Sequence, residues 1–506
     1  TQNSRIAANE DVSLVSQNSL TVENTTIQSG KDLSIEANTM PLAGNLSSGR
    51  DMNLTLHSDL SNEAAAEGFG NLHAGRNLTA NIQGSVSNQR GMEAGDTLSL
   101  AAAGNLTQTD AGNISGKDLH IHAANVENHG LLQANEAVHI RTAQLTNDTT
   151  GRIYGNQVSV QAKDNTAEDI AATALYNNGK IISETDTTIH AASVANTGTL
   201  AAAIAPSGKT NDAGTLTVTA KEFDNNNAQL LSGKDIVVSA ENMHTQNSRI
   251  AGNGDISLVS QNALTVENSA VQSGKDLSVE ANAMPLGGNL SSGRDMTIAV
   301  KSDLSNEAAS ENFGNLHAGR NLTANIRGNV YNQRAMNAGG TLSLTADGSL
   351  TQSAAGVLSA GHLHVRAADV ENSGLVQAKE ETILHTAQFK NDATGGIYGR
   401  RINVQAKNGT EEDIAAAALY NSGKIISEAD TTIHAASVAN KGTLAAAIAP
   451  SGKANDVGTL TIMAKELSNN GAQLLSGNNL SLSAENLHTQ SGQIAGNGDV
   501  SLTVKN

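Results

Sequence analysis

Residues 115–130 read SGKDLHIHAANVENHG. Within this stretch Leu119 and Ile121 alternate with His120 and His122. A period of two marks a strand with one face turned to an apolar interior. The Gly-Lys-Asp before it and the Ala-Ala-Asn after it are turn chemistry, so the strand is only three to five residues long. The following Val126-Glu127-Asn128 begins the alternation again. A strand this short cannot bury its apolar face alone, so the remainder of the chain has to supply more of the same.

It does so at two levels. A unit of consensus [ILV]-x-[SA]-G-x-[DN]-[LIVM]-x-[LIV]-x-A, followed by [LV]-x-N-x-G, recurs along the chain. Its anchors after the turn are Val12, Leu33, Met52, Leu78, Leu98, Leu119, Val138, Val158, Thr187, Leu216 and Ile236, spaced by 19 to 29 residues. The series restarts at Ile256, an offset of 244. The opening TQNSRIAANEDVSLVSQNSL likewise returns at Thr245 as TQNSRIAGNGDISLVSQNAL, and Pro41 and Pro206 map onto Pro285 and Pro450. Repeats of this size read as a solenoid. Each strand pairs in parallel with its counterpart in the next coil, at about 4.8 Å. The predicted fold is all-β, a right-handed parallel β-helix of about 22 coils of roughly 20 residues with a few loop or short-helix insertions. Its expected divisions are superrepeats 1–244 and 245–488 and a truncated third copy, 489–506, in one continuous rod. A chain that begins and ends inside its own pattern is expected to be a piece of a longer protein.

The Asn of the V-x-N motif has two readings. Asn24, Asn128, Asn147, Asn196 and Asn225, with Asn268 in the second copy, take the same place in their units. In period with the inward aliphatic residues, they form a ladder of stacked amides that hydrogen-bond from coil to coil. Alternatively, Asn there only tolerates turn geometry.

Three stretches per superrepeat break the rhythm and map to external loops, either binding segments or tolerated decoration. Residues 58–71 form a loop with Phe69, whose copy is Phe313. Residues 165–180 read as a short helix, with Asn165 and Glu168 as a capping box, Gly179 as the stop and Tyr176 (copy Tyr420) near its end. Residues 201–214 are an apolar run followed by a turn. The candidate contact residues are thus Phe69, Tyr176, Phe313 and Tyr420.

Composition narrows the function. Four Phe, five Tyr and no Trp in 506 residues fit a thin core built many times over rather than globular domains. The net charge of -18 carries no basic stripe, which argues against nucleic acid. No window of eighteen apolar residues predicts a transmembrane helix, no signal peptide is visible, and the absence of cysteine excludes disulfides and thiolate metal sites. A glycosidase needs two carboxylates facing across a groove, whereas Asp11, Asp32, Asp51, Asp118, Asp235 and Asp255 sit at repeated turns and serve local turn hydrogen bonds. No catalytic, cofactor-binding or metal residues are therefore assigned, and a β-helix polysaccharide-degrading enzyme is the remote alternative. His120 and His122 share one strand face, yet the second copy has His364 and Arg366 there, and Ile383 stands for His139. These His are read as outward-facing and solvated.

The recurring SGKDLSIEAN, AGRNLTANIQGSVSNQ and SGKDLHIHAANVENHG resemble the haemagglutinin repeats of filamentous haemagglutinin-type exoproteins, the passengers of bacterial two-partner secretion. The resemblance covers essentially the whole chain. It implies a β-helix filament, exported through an outer-membrane two-partner secretion transporter to the bacterial cell surface or medium. The group holds adhesins and effectors of contact-dependent growth inhibition. The expected role is thus a structural and adhesive stalk that contacts host-cell or bacterial-cell receptors, or else the stalk of a toxin-delivery protein.

Overall fold

The computed structural model describes residues 1–63, 70–164, 171–307, 314–449 and 451–505. They are almost entirely short parallel strands, three to a coil. One coil runs through Asp118–His122, Asn125–Asn128 and Leu131–Ala134; the next runs through Ala137–Arg141, Gln144–Asn147 and Arg152–Gly155. Each strand pairs in parallel with its counterpart one coil on, with Leu119 opposite Val138, Val126 opposite Leu145, and Leu132 opposite Ile153. The three strand positions define three faces of a β-solenoid, called here first, second and third in chain order.

Alternate side chains on every face point inward. Leu119, Ile121, Val126 and Leu132 are each exposed by 2% or less, and like stacks on like in aliphatic columns. Phe223 obeys the same rule, as a buried member of the second-face column between Val194 and Met243. Thr187, a polar member of the first-face column, is fully buried with its Oγ1 2.8 Å from both Ser183 Oγ and the Ala201 carbonyl. Its hydroxyl is therefore satisfied inside an apolar column.

The chain divides into two such units, Thr1–Ser257 and Leu258–Asn506, with the boundary inside the first coil of the second superrepeat. Together they hold about 24 turns. The expected 22 counted intervals between Val12 and Val500 and left out partial turns such as that of Arg5–Ala8. Coil length does not disturb the stacking. Val158 pairs in register with Thr187, and Met52 with Leu78, despite the extra residues between them.

The turns depart from expectation. Their carboxylates reach the backbone of the next coil rather than their own turn. The Asp32 N–H donates to Asp11 Oδ1 at 3.1 Å, the Asp51 N–H to Asp32 Oδ1 at 3.2 Å, and the Asn77 N–H to Asp51 Oδ1 at 3.2 Å. Parallel stacking sets each turn above the last, so a side-chain oxygen at this position meets an amide left over by the strand ladder. Arg50 pairs with Asp32, and Arg76 with Asp51, one coil back. The Gly of V-x-N-x-G has a similar origin. A Cβ on Gly179 would lie 2.2 Å from the carbonyl oxygen of Gly151, and one on Gly198 would lie 2.2 Å from that of Gly179.

The expected helix is described in the second copy as Glu411–Ala416. Its cap is Thr410, whose Oγ1 accepts from the Asp413 N–H at 3.1 Å, one residue later than the Asn165–Glu168 box predicts. Position 165 corresponds to Gly409, and residues 165–170 lie outside the described residues. The helix ends at Ala416, well before Gly423, the copy of Gly179, because Ala418–Asn421 returns to the second face with Leu419 buried.

Candidate functional site

Side-chain amides line the second face on its inner side. In the first unit Asn62 Nδ2 donates to Asn88 Oδ1 at 2.7 Å, Asn88 to Gln108 at 3.1 Å, Gln108 to Asn128 at 3.2 Å, and Asn128 to Asn147 at 2.8 Å. The run goes on from Asn147 to Asn177 at 2.8 Å, to Asn196 at 2.7 Å and to Asn225 at 2.8 Å, and closes on Thr245 Oγ1 at 3.3 Å. Asn128, Asn147, Asn196 and Asn225 were picked from the sequence. Asn62, Asn88, Gln108 and Asn177 were missed, although each follows the same [LV]-x-[NQ] signal. Every amide donates toward the C-terminus, so the column has a direction. At its head the Asn62 carbonyl oxygen is buried with no partner.

Asn24 and Asn268 stand off this column. Val22 pairs with Leu42 and Leu42 with Asn62, so the ladder position in that coil is Val22. In the second unit it is Val266, through Leu286 to Asn306. The pairing shifts register between Glu23 and Thr26, and again between Glu267 and Ala270. Asn24 and Asn268 occupy these bulges at φ 46° and 45°, each with an enclosed Oδ1 that lacks a partner. Thr25 takes the inward place beside Asn24.

The proposed contact residues are not gathered into one loop surface. Tyr176 and Tyr420 lie on second-face strands, Ala174–Asn177 and Ala418–Asn421, with their rings outward and 41% and 49% exposed. They flank ladder residues Asn177 and Asn421, so strand periodicity, and not a loop, sets their direction. Phe69 and Phe313 lie outside the described residues.

A groove of about 520 Å³ lies on the outer side of the first face of the first unit. Two rows of side chains form its floor. Ser99, His120, His139 and Ser159 stack in one row, and Ala101, His122, Arg141 and Gln161 in the next. The His120 and His139 rings are stacked, with centroids 5.1 Å apart and planes 13° off parallel. Burial, then the neighbouring His120 and Arg141, push the His139 imidazole below its ordinary pKa, with Asp118 opposing. His122 Nε2 is enclosed without a hydrogen-bond partner, and Asp164 Oδ1 lies 3.7 Å from it. The solvated reading thus holds for exposed His120 but not for His122 and His139, which are half-buried.

The second unit carries a different floor at the same place. Ser343, His364, Ile383 and Asn403 form one row, with Thr345, Arg366, His385 and Gln405 beside it. Ile383 interrupts the imidazole stack, and Arg366 donates to Asn408 Oδ1 and to the Lys407 carbonyl. Among the described residues no group of three His, Cys, Asp or Glu side chains is placed to hold a metal ion. Nor is any helix there long and apolar enough to cross a membrane.

The haemagglutinin repeat model matches residues 1–68, 70–110, 108–166, 155–205, 213–268, 265–333, 312–354 and 438–506. The chain is also 26% identical over 263 residues to a Toxin CdiA of Escherichia coli, an alignment spanning 43% of this chain and 8% of that protein. No solved structure matches. With its three-faced coils and with repeat matches across most of its length, the chain belongs to the haemagglutinin-repeat family of filamentous haemagglutinin-type proteins.

Proposed function

We propose that this chain is a structural and adhesive stalk segment of a large secreted bacterial surface exoprotein. It projects a distal region away from the cell and adds weak contacts of its own with host or neighbouring cells. What carries the reading is repetition: the same outward side chains, Tyr176 and Tyr420 among them, return after 244 residues on equivalent strands. Weak contacts displayed in series raise avidity without a strong single site. Family membership supports export through an outer-membrane two-partner secretion transporter. The role is non-catalytic: the repeated acids Asp11, Asp32 and Asp51 serve the backbone of neighbouring coils.

A second reading, the stalk of a growth-inhibition effector with its toxin region elsewhere, is favoured by the relative named a toxin. Both readings share the stalk. Deleting residues 245–488 from the parent protein should leave export intact and bring the distal region closer to the cell. An unchanged stand-off contradicts the stalk role. Beads coated with the purified chain should tether cells more strongly as coating density rises, and density-independent tethering contradicts the adhesive contribution.

A further inference from the structure

The groove over His120, His122, His139 and Arg141 is built differently from the equivalent place in the second unit. The chain is strongly acidic, with a formal charge of -18, yet four adjacent outward positions here hold three imidazoles and a guanidinium. Arg141 is exposed and forms no ion pair among the described residues. His122 Nε2 makes no hydrogen bond, and the Asp164 carboxylate stands 3.7 Å from it. The ring nitrogen therefore keeps hydrogen-bonding capacity for a polar group seated in the groove. Around these groups stand Asn81, Ser99, Ser159 and Gln161, all able to exchange hydrogen bonds with hydroxyls. The volume, about 520 Å³, falls in the range of small-molecule clefts, about 300–1,000 Å³.

We propose that this groove binds a carboxylate-bearing saccharide, a uronic-acid sugar. Arg141 forks onto the carboxylate in the bidentate geometry that guanidinium and carboxylate share. His122 Nε2 supplies a further hydrogen bond, and the stacked His120 and His139 form a flat floor for the sugar ring. Ser99, Ser159, Asn81 and Gln161 take its hydroxyls. The second unit lacks the site because Ile383 replaces the second ring and Arg366 is already engaged by Asn408. The assignment stands apart from the stalk role, since a groove of this chemistry binds the sugar whether or not the chain projects anything.

The test is titration calorimetry of the whole chain with trigalacturonate, with galacturonate and with neutral galactotriose. The expected result is one site per chain for trigalacturonate, retained more weakly for galacturonate and absent for galactotriose. The double variant His139→Ile, Arg141→His gives the first groove the residues of the second, Ile383 and His385, so the fold tolerates both. It should weaken binding by at least about tenfold with unchanged thermal melting. Unimpaired binding by the variant, equal binding of galactotriose, or no binding by the wild-type chain at millimolar sugar each overturns the assignment.

Discussion

The side-chain amide of Asn128 donates to the carbonyl of Asn147, nineteen residues later in the chain and one coil away, at 2.8 Å. Both residues are fully buried. An amide in that position needs a donor on one side and an acceptor on the other, and stacking supplies both. Asn147→Ala would leave Asn128 Nδ2 and Asn177 Oδ1 each without its ladder partner. The expected loss is about 1–3 kcal/mol in chemical denaturation, the range for stranded buried polar groups. Asn24→Gly, at φ 46° and with an unpartnered Oδ1, should fall within about 0.5 kcal/mol of wild type.

That contrast marks what the sequence discloses. Leu119, Ile121 and Val126 declare themselves as core because period two survives in any register. The strings Val22-Glu23-Asn24 and Val126-Glu127-Asn128 are identical in type, yet they sit in different phase. Leu42, two coils from Asn88, aligns with Val22, and only pairing with neighbouring coils fixes which residue of each string faces inward. The turn acids were visible, but their partners were not, since those lie about twenty residues away. The stacking of His120 over His139 follows from the repeat spacing. The approach of Asp164 to His122, by contrast, carries no periodic signal.

The head of the ladder offers a gain. Asn62 Oδ1 is buried without a partner, below Leu42 in the same column. Leu42→Asn places an amide donor above it. It loses the burial of a leucine, about 2–3 kcal/mol, but recovers about 1 kcal/mol of hydrogen bonding. Leu46→Asn, on the third face, has no such acceptor. Denaturation midpoints should rank wild type above Leu42→Asn above Leu46→Asn, and equal loss in the two variants contradicts the account.

Acid should weaken the coils joined by Asp51 and Asp295. Hydrogen bonds from the Arg76 and Arg320 guanidiniums hold these two carboxyls at about 2, below the ordinary carboxylate value. A depressed carboxylate stabilises the folded state above its unfolded pKa, near 4, and that contribution disappears as pH falls through about 2. Thermal melting of Asp51→Asn should therefore lie below wild type at pH 6, and the gap should close between pH 4 and pH 2. The pair is partly exposed, so the difference is modest and shrinks with added salt.

Gly179→Ala tests the corner column. The added methyl would sit 2.2 Å from the Gly151 carbonyl oxygen, and the parallel ladder holds that oxygen in place. A loss of about 1–3 kcal/mol is expected, as for overpacking elsewhere. A variant as stable as wild type means the coils separate more easily than the pairing implies.

The central claim is that each coil advances the chain by one strand spacing whatever its length. Spin labels on the outward first-face residues Thr79 and Ser159 are four coils apart, and those on Thr79 and Thr217 are six coils apart, through Thr188. Pulsed dipolar spectroscopy should place the two label pairs about 19 Å and 29 Å apart. The increment of about 10 Å on moving the second label past two long coils is the quantity to measure. Separations that stay constant, or that grow in proportion to the number of residues between the labels, contradict coil-by-coil stacking.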